Sequence, residues 1–272
     1  MKILSFHLLL ETHWNRVLQG DKLSPEDIAA IQEADGVILP QGCRESVYRA
    51  VCTHCDHVFP NYDARFRFPG KTGQAQLFLE RGATAPRTCV VDDTDHLLHC
   101  PASSFEYPFV FKSAWGGEGK RVFLVRSEQD LQHCIELARN WEKEQKGGFL
   151  FQEYVPTGGR SLRVAVIGSA MYPYWRVQGG GDGFYTNLAK GATIDSQSSP
   201  GLMEKACRRL QPFCLATGIN LAGFDFIFKE DEDDPEPLFL EINYGFRTHG
   251  LGGPDRYLKL LEQAVREWRE NL

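Results

Sequence analysis

The sequence predicts a mixed α/β fold, and two observations support that prediction. Short strand-like and helix-like segments alternate through the N-terminal quarter of the chain, which is the pattern of a small parallel sheet covered by helices. From Tyr107 onward the chain changes to longer β-rich runs, which are separated by amphipathic helical segments. No internal repeat is present.

The N-terminal elements follow from local patterns. Lys2–Leu10 is expected to form a buried strand, and Gly36–Pro40 a second short strand. Ser24 and Pro25 open a helix, because serine caps a helix N-terminus and proline suits its first position. Glu45–Cys55 has helical spacing of its apolar residues. Strand–helix alternation of this kind predicts parallel pairing.

The segment Asn61–Gly70 mixes charged and aromatic residues and ends in Pro-Gly, so we expect a linker there. A helix should begin at Lys71 and end near Arg81, where Gly82 stops it. Further along, a glycine-rich turn predicts a hairpin and a capping serine predicts a helix. The expected elements are strands at Tyr107–Lys112, Arg121–Val125, Phe149–Tyr154, Leu162–Ile167, Ala170–Val177, Gly223–Lys229 and Leu238–Asn243, and helices at Ser127–Glu144, Leu202–Ala216 and Tyr257–Trp268.

Composition excludes several classes of protein. The 272 residues are 42% apolar and 24% charged, close to the average for globular proteins, so the chain is neither collagen nor mainly disordered. A net charge of −6 argues against a general nucleic-acid binder. No apolar run reaches the roughly 18 residues of a membrane span, and the N-terminus lacks the features of a signal peptide. Eight cysteines, several on inward helix faces, favour a reduced, cytoplasmic protein.

Two apparent motifs fail on inspection. The dipeptides Gly70-Lys71 and Gly119-Lys120 lack the glycine spacing or the following Ser/Thr of a phosphate-binding P-loop. Cys52, Cys55 and His57 resemble half of a zinc site, but no second pair lies at finger spacing, so packing is the favoured interpretation.

Lys112 ends the apolar strand Phe109–Lys112 and is followed at once by a loop containing Gly116, Gly117 and Gly119. A lysine buried in a strand needs an anionic partner. Glycines allow backbone N–H groups to approach an anion closely. The loop alone could be a plain hairpin turn, but together with Lys112 it favours phosphate binding.

Three oxygen-bearing side chains lie in two apolar strands that follow one another along the chain. Asp225 is in the first strand, and Glu241 and Asn243 are two residues apart in the second, so those two share a face. Carboxylate and amide oxygens with few protein ligands suit Mg²⁺. The alternative is that Asp225 is neutralised by Arg163 or Arg176.

Taken in chain order, these residues resemble the ATP-grasp superfamily, most closely the RimK-type glutamate ligases. The resemblance extends from about Asn61 to Leu261. Its order and spacing are more specific than any one piece of it. It is carried by Lys71, Lys112 with Gly116-Gly117-Glu118-Gly119, Gln152-Glu153-Tyr154-Val155, Arg163, Thr186-Asn187-Leu188-Ala189-Lys190-Gly191, Asp225 and Glu241-Ile242-Asn243.

The resemblance implies an ATP-grasp fold, in which two α+β lobes (69–150 and 151–272) clamp ATP behind a small Rossmann-like domain (1–68). It also implies an ATP-dependent ligase that joins a carboxylate to an amine through an acylphosphate. Small-molecule or peptide substrates are expected, with no nucleic acid or membrane partner, and homodimers are common among such proteins.

The resemblance also implies roles for individual residues. Lys71, Lys112, Gly116, Gly117, Gly119 and Lys190 would bind the phosphates, Gln152, Glu153, Tyr154 and Val155 would bind the adenine, Asp225, Glu241 and Asn243 would hold one or two Mg²⁺ ions (or Mn²⁺), and Arg163, Arg176 and Asn187 would face the reacting groups.

Two departures from the RimK-type pattern point to a different substrate. Ser161 stands where those ligases often have aspartate, and Tyr244–Gly253 replaces a Ser-Ser-Pro-Gly segment. The second departure also leaves open a module that binds Mg·ATP without ligase turnover.

Overall fold

Three separate β-sheets organise the chain in a computed structural model. The model describes residues 1–272 except 21, 100–104, 118, 120, 145–146, 180–183, 185 and 187–190. Two of the sheets have four strands and the third has five.

The N-terminal sheet is parallel and has the order β2-β1-β3-β4. Its strands are β1 (Ile3–Ser5), β2 (Trp14–Asn15), β3 (Gly36–Ile38) and β4 (Val58–Phe59). The predicted parallel pairing is confirmed, but the prediction of a strand over Lys2–Leu10 is wrong in length, because β1 ends at Ser5 and the chain forms a turn at residues 8–9.

The second sheet has the order β5-β8-β6-β7 and is antiparallel throughout. Its strands are β5 (Thr88–Val91), β6 (Phe109–Ser113), β7 (Val122–Val125) and β8 (Phe149–Glu153). The predicted hairpin is found as β6 and β7, with the glycine-rich loop at its tip.

The third sheet has the order β11-β10-β9-β12-β13 and is also antiparallel. Its strands are β9 (Arg160–Ile167), β10 (Ala170–Val177), β11 (Thr193–Asp195), β12 (Leu221–Ile227) and β13 (Leu238–Asn243). In the part of the chain that the structure describes, β13 is an edge of this sheet, so no further strand pairs with its outward backbone groups.

The helices are α1 (Pro25–Gln32), α2 (Glu45–His54), α3 (Asp63–Arg67), α4 (Gly70–Glu80), α5 (Thr94–His99), α6 (Glu128–Lys143), α7 (Pro200–Thr217) and α8 (Pro254–Glu270). Most predicted helices are present. The prediction of a linker over Asn61–Gly70 is wrong, because α3 occupies part of it. Its residue Ala64 is buried, and the side chain of Phe66 packs against Tyr62.

The first and third sheets share one apolar core, whereas the second sheet has a core of its own. One cluster combines Leu4 and Val37 of the N-terminal sheet with Leu162 and Phe224 of the third sheet, whereas Phe109 and Phe151 of the second sheet belong to another cluster, which α6 completes. A cleft between the second and third sheets is therefore bordered by two separately packed bodies. No helix in the described part of the chain is long and apolar enough to cross a membrane.

Candidate functional site

A cavity of about 330 Å³ lies where the second and third sheets face each other. It collects residues from both sheets, from α4 and from the glycine loop. The predicted residues that line it are Lys71, Lys112, Gly117, Gly119, Gln152, Glu153, Tyr154, Val155, Arg163, Arg176, Asp225, Glu241 and Asn243. The sequence-based grouping of these positions therefore corresponds to one place in the fold, while their individual roles stay predictions.

Lys71 lies in the first turn of α4 and ties the glycine loop to the third sheet. Its ammonium donates to the Gly116 carbonyl at 2.7 Å and lies 3.4 Å from the Glu241 carboxylate. The chain can approach this closely because Gly70 adopts φ +68°, and a Cβ there would sit 2.9 Å from the Ala114 carbonyl oxygen. Gly116 thus contacts Lys71 through its backbone, although it does not line the cavity itself.

Lys112 is almost fully buried, with 8% of its surface exposed. Its ammonium donates to Gln152 Oε1 at 2.6 Å, and Gln152 Nε2 donates to Thr88. Burial lowers the pKa of Lys112 from 10.5 to about 8. A buried cation held mainly by a neutral amide is well placed to receive an anionic ligand.

Strand register places four side chains in one row across the third sheet. Arg163 of β9 lies opposite Tyr174 of β10 on one side and Asp225 of β12 on the other, and Asp225 lies opposite Glu241 of β13. Cross-strand partners in an antiparallel pair point to the same face. The backbone register alone therefore brings these groups to the cavity.

Asp225 is neutralised by both arginines. Arg163 donates to both of its carboxylate oxygens, at 2.5 and 2.7 Å, and Arg176 approaches one of them to 3.0 Å. Burial opposes ionisation of Asp225, but the two guanidinium groups outweigh it and hold the pKa of the carboxyl below its usual range. The alternative to metal binding, neutralisation of Asp225 by Arg163 or Arg176, is thus present in the structure.

The oxygen donors suit Mg²⁺ at Glu241 and Asn243, and less directly at Asp225. Among the described residues, the Glu241 carboxylate forms an ion pair with Lys71, and Asn243 contacts Asp225 through its Nδ2 at 3.2 Å, so its side-chain oxygen is not used in that contact. Asp225 already accepts four contacts, about as many as a carboxylate can accept. It could coordinate an ion only by exchanging one of them.

Arg176 is paired more weakly than Arg163. It donates to the hydroxyl of Ser161 at 2.9 Å, and Thr186 donates to the same hydroxyl at 2.7 Å. Among the described residues, the buried Nε of Arg176 has no hydrogen-bond partner. Two guanidinium groups facing one carboxylate leave a net positive charge beside the cavity.

The sequence analysis missed the apolar walls of the cavity. Val110 and Val122 line it from the second sheet, and Ile227 and Leu240 line it from the third. These four side chains line the same cavity as the connection Glu153–Val155. Val110 could have been found from the sequence, because it lies two residues before Lys112 on the same strand face.

The segment after β13 contributes Gly245, Phe246 and Arg247 to the lining of the cavity. It packs tightly on Tyr174, since a Cβ on Gly250 would lie 2.2 Å from the Tyr174 ring. Sequence analysis identified this segment as altered, but it did not identify Tyr174 as its support.

Two predicted site residues, Asn187 and Lys190, lie outside the described residues. The zinc interpretation of Cys52, Cys55 and His57 gains no support, because no group of three or more His, Cys, Asp or Glu in the described residues could hold a metal ion. Cys55 instead donates to the backbone carbonyl of His57 at 3.4 Å.

Comparisons with known proteins agree with this arrangement. The model of the RimK-like ATP-grasp domain matches residues 70–260. A probable alpha-L-glutamate ligase of Marinomonas sp. (strain MWYL1) is 26% identical over 182 residues, which cover 66% of this chain and 57% of that relative. The match thus spans less than two thirds of the relative's length.

Solved structures show the same fold at low sequence identity. The RimK domain protein ATP-grasp from Sphaerobacter thermophilus DSM 20745 superposes with a TM-score of 0.66 at 14% identity, covering 97% of this chain and 99% of that one. D-alanine–D-alanine ligase from Bacillus anthracis gives a TM-score of 0.62 at 14% identity, with 95% and 88% covered.

Proposed function

Because the chain belongs to the RimK-like ATP-grasp family, we propose that it is an ATP-dependent ligase that joins a carboxylate to an amine. The observation that carries the proposal is the cavity that combines the buried Lys112 and the partly buried Lys71 with a glycine loop, oxygen ligands and paired arginines. The similarity to a probable alpha-L-glutamate ligase supports the same reaction class.

ATP would occupy the half of the cavity nearest the second sheet. The apolar side chains of Val110 and Leu240 suit a planar base, and Glu153–Val155 lines the same cavity and offers polar backbone groups. Lys71 and Lys112 would contact the phosphates, together with the backbone of the glycine loop. The lowered pKa of Lys112 would return toward its usual value beside a phosphate, since a nearby negative charge favours the protonated form.

Mg²⁺ would be held by Glu241 and Asn243, with Asp225 joining them by giving up a contact with arginine. The ion supplies charge neutralisation to the transferred phosphoryl group. Asp225 meanwhile keeps Arg163 and Arg176 pointed at the cavity.

The reaction would proceed in two displacements. An oxygen of the substrate carboxylate attacks the γ-phosphorus, the bond to the bridging oxygen breaks, and ADP leaves. The amine nitrogen then attacks the acyl carbon, phosphate leaves with the bonding electrons, and the nitrogen loses a proton. Arg163 and Arg176 are placed to bind the oxygens that carry charge during both steps, because guanidinium groups match carboxylate and phosphate geometry. Closure of the glycine loop would exclude water from the acylphosphate.

Hydroxylamine trapping tests the proposal without knowledge of the amine. The protein is incubated with Mg·ATP, hydroxylamine and a panel of carboxylates, and hydroxamate and ADP are measured. We expect both products only when a carboxylate is present, and Lys112→Ala should reduce the rate about 10²–10³-fold. Lys259→Met, at an exposed position of α8, serves as the matched control.

ADP release without hydroxamate would contradict the ligase assignment. Tight binding of Mg·ATP with no turnover on any carboxylate would favour the binding module instead. The substrates, the domain boundaries, a homodimer and a cytoplasmic location remain predictions.

A further inference from the structure

Gln74 makes an unusual contact with the strand that carries two of the predicted metal ligands. It lies in the second turn of α4 and has 9% of its surface exposed. Its Nε2 donates to the Ile242 carbonyl at 2.7 Å, and its Oε1 accepts from the Ile242 N–H at 2.9 Å. The two residues are 168 positions apart.

Ile242 needs such a partner because β13 is an edge strand. Both the N–H and the C=O of Ile242 point to the side opposite β12, which is the side where a further strand would pair in a larger sheet. A carboxamide offers a donor and an acceptor in one plane, as a peptide group does. Gln74 thus replaces one residue of a missing strand.

The position of this contact matters for the site. Ile242 stands between Glu241 and Asn243, whose side chains point to the cavity while that of Ile242 is buried in the core. Holding the peptide groups of Ile242 in place therefore also fixes the position and direction of the Glu241 and Asn243 side chains. Gln74 also lies one helical turn from Lys71, which pairs with Glu241 at 3.4 Å.

Helix α4 is itself held at both ends. Its first turn is bound to the glycine loop through the Lys71 N–H, which donates to the Ala114 carbonyl at 2.9 Å. Its later turns pack into the third sheet, where the rings of Phe78 and Phe239 are 5.5 Å apart. The helix is therefore a rigid support from which Gln74 can position β13.

We propose that Gln74 is a positioning residue for the metal site, which sets Glu241 and Asn243 at the distance from Lys71 that a metal-bound triphosphate requires. The inference rests on the proposed function, since it concerns the binding of Mg²⁺ with nucleotide. Groups that orient metal ligands typically contribute 10–100-fold to metal affinity.

The test compares binding of ADP with and without Mg²⁺ in the full chain by calorimetry. Gln74→Met keeps the size of the side chain and removes both hydrogen bonds. We expect the Mg²⁺ concentration for half-saturation to rise about tenfold, with affinity for metal-free ADP within about twofold of wild type. Gln76→Met is the matched control, because Gln76 lies on the same helix but is exposed and bonds only Glu80 among the described residues.

Gln74→Glu adds a measurement for which a purely structural role of Gln74 predicts a different result. A protonated carboxyl can accept from the Ile242 N–H and donate to its carbonyl, whereas an ionised one cannot donate. The Mg²⁺ concentration for half-saturation of this variant should equal that of wild type near pH 5, where the carboxyl is protonated. Near pH 8, where the carboxyl is ionised, it should exceed that of wild type. It also decides the matter if Gln74→Met fails to fold.

Three outcomes would overturn the inference. Unchanged Mg²⁺ dependence in Gln74→Met would refute the positioning role alone, while the proposed function stood. Equal loss of affinity for ADP with and without metal would show general damage to the cleft. A wild-type chain that binds ADP in neither form would refute the proposed function, and the role of Gln74 with it.

Discussion

Replacing Lys112 with methionine should make the nucleotide-free protein more stable at neutral pH. Lys112 is buried, and its one described hydrogen bond is to the neutral side chain of Gln152. Burial lowers its pKa from 10.5 to about 8. The folded protein therefore carries a buried charge whose cost the nearby Glu241 carboxylate offsets only in part, and a bound anion would compensate it further.

The size of the effect follows from the pKa. The interval from 8 to 10.5 corresponds to about 3 kcal/mol, at about 1.4 kcal/mol per pH unit. Between those pH values the unfolded chain holds the proton and the folded chain releases it, so wild-type stability rises with pH. Methionine removes this penalty but leaves Gln152 Oε1 without its donor, which costs about 1–2 kcal/mol. The net gain at pH 7 is about 1–2 kcal/mol.

Urea denaturation of wild type, Lys112→Met and the exposed control Lys259→Met measures this gain at pH 7, 8, 9 and 10. We expect the stability difference between Lys112→Met and wild type to shrink as the pH rises above 8 and to reverse near pH 9–10. Calorimetry of the same proteins should show weaker binding of ADP by Lys112→Met. A variant less stable than wild type at pH 7, or a difference independent of pH, would refute the reasoning.

Other substitutions and conditions probe the same cavity. Asp225→Asn should lower the free energy of unfolding by about 3 kcal/mol, because it leaves two buried guanidinium groups without a carboxylate. Those groups lower the pKa of Asp225, so its stabilisation is present above the unfolded pKa of 3.8 and is lost as the pH falls through the folded pKa. The free energies of unfolding of Asp225→Asn and wild type should therefore converge in acid. Gly250→Ala should cost about 1–3 kcal/mol through its clash with Tyr174, whereas Gly245→Ala, with nothing within 4 Å of the added Cβ, should melt like wild type. Affinity of the wild type for ADP should fall as pH rises above 8, as Lys112 loses its proton, and a flat pH profile would contradict its role.

The sequence predicted the charged part of the site because buried charges stand out in apolar strands. Lys112, Asp225 and Glu241 each interrupt a run of apolar residues, and such positions are costly without a partner. Which partner each one has depends on strand order and register. Arg163 meets Asp225 only because β9 lies between β10 and β12.

At the level of the fold, the elements that the sequence did not predict are mostly short. Strands β2 and β4 have two residues each, and β11 has three, too few to show an alternation. Helix α3 has five residues, little more than one turn, so its apolar positions could not show a helical period. Each of these elements is fixed by neighbours that are distant in sequence.

Gln74 marks a sharper limit on prediction. The charged residues could be found because each needs a particular kind of partner, and few residue types supply it. Gln74 binds a peptide group, and every residue except proline offers the same donor and acceptor. Nothing in the sequence distinguishes Ile242 as its partner until the sheet order shows that β13 is an edge strand. Interactions with the backbone of a site are thus invisible to residue patterns, although here they hold the two side chains that the pattern did identify.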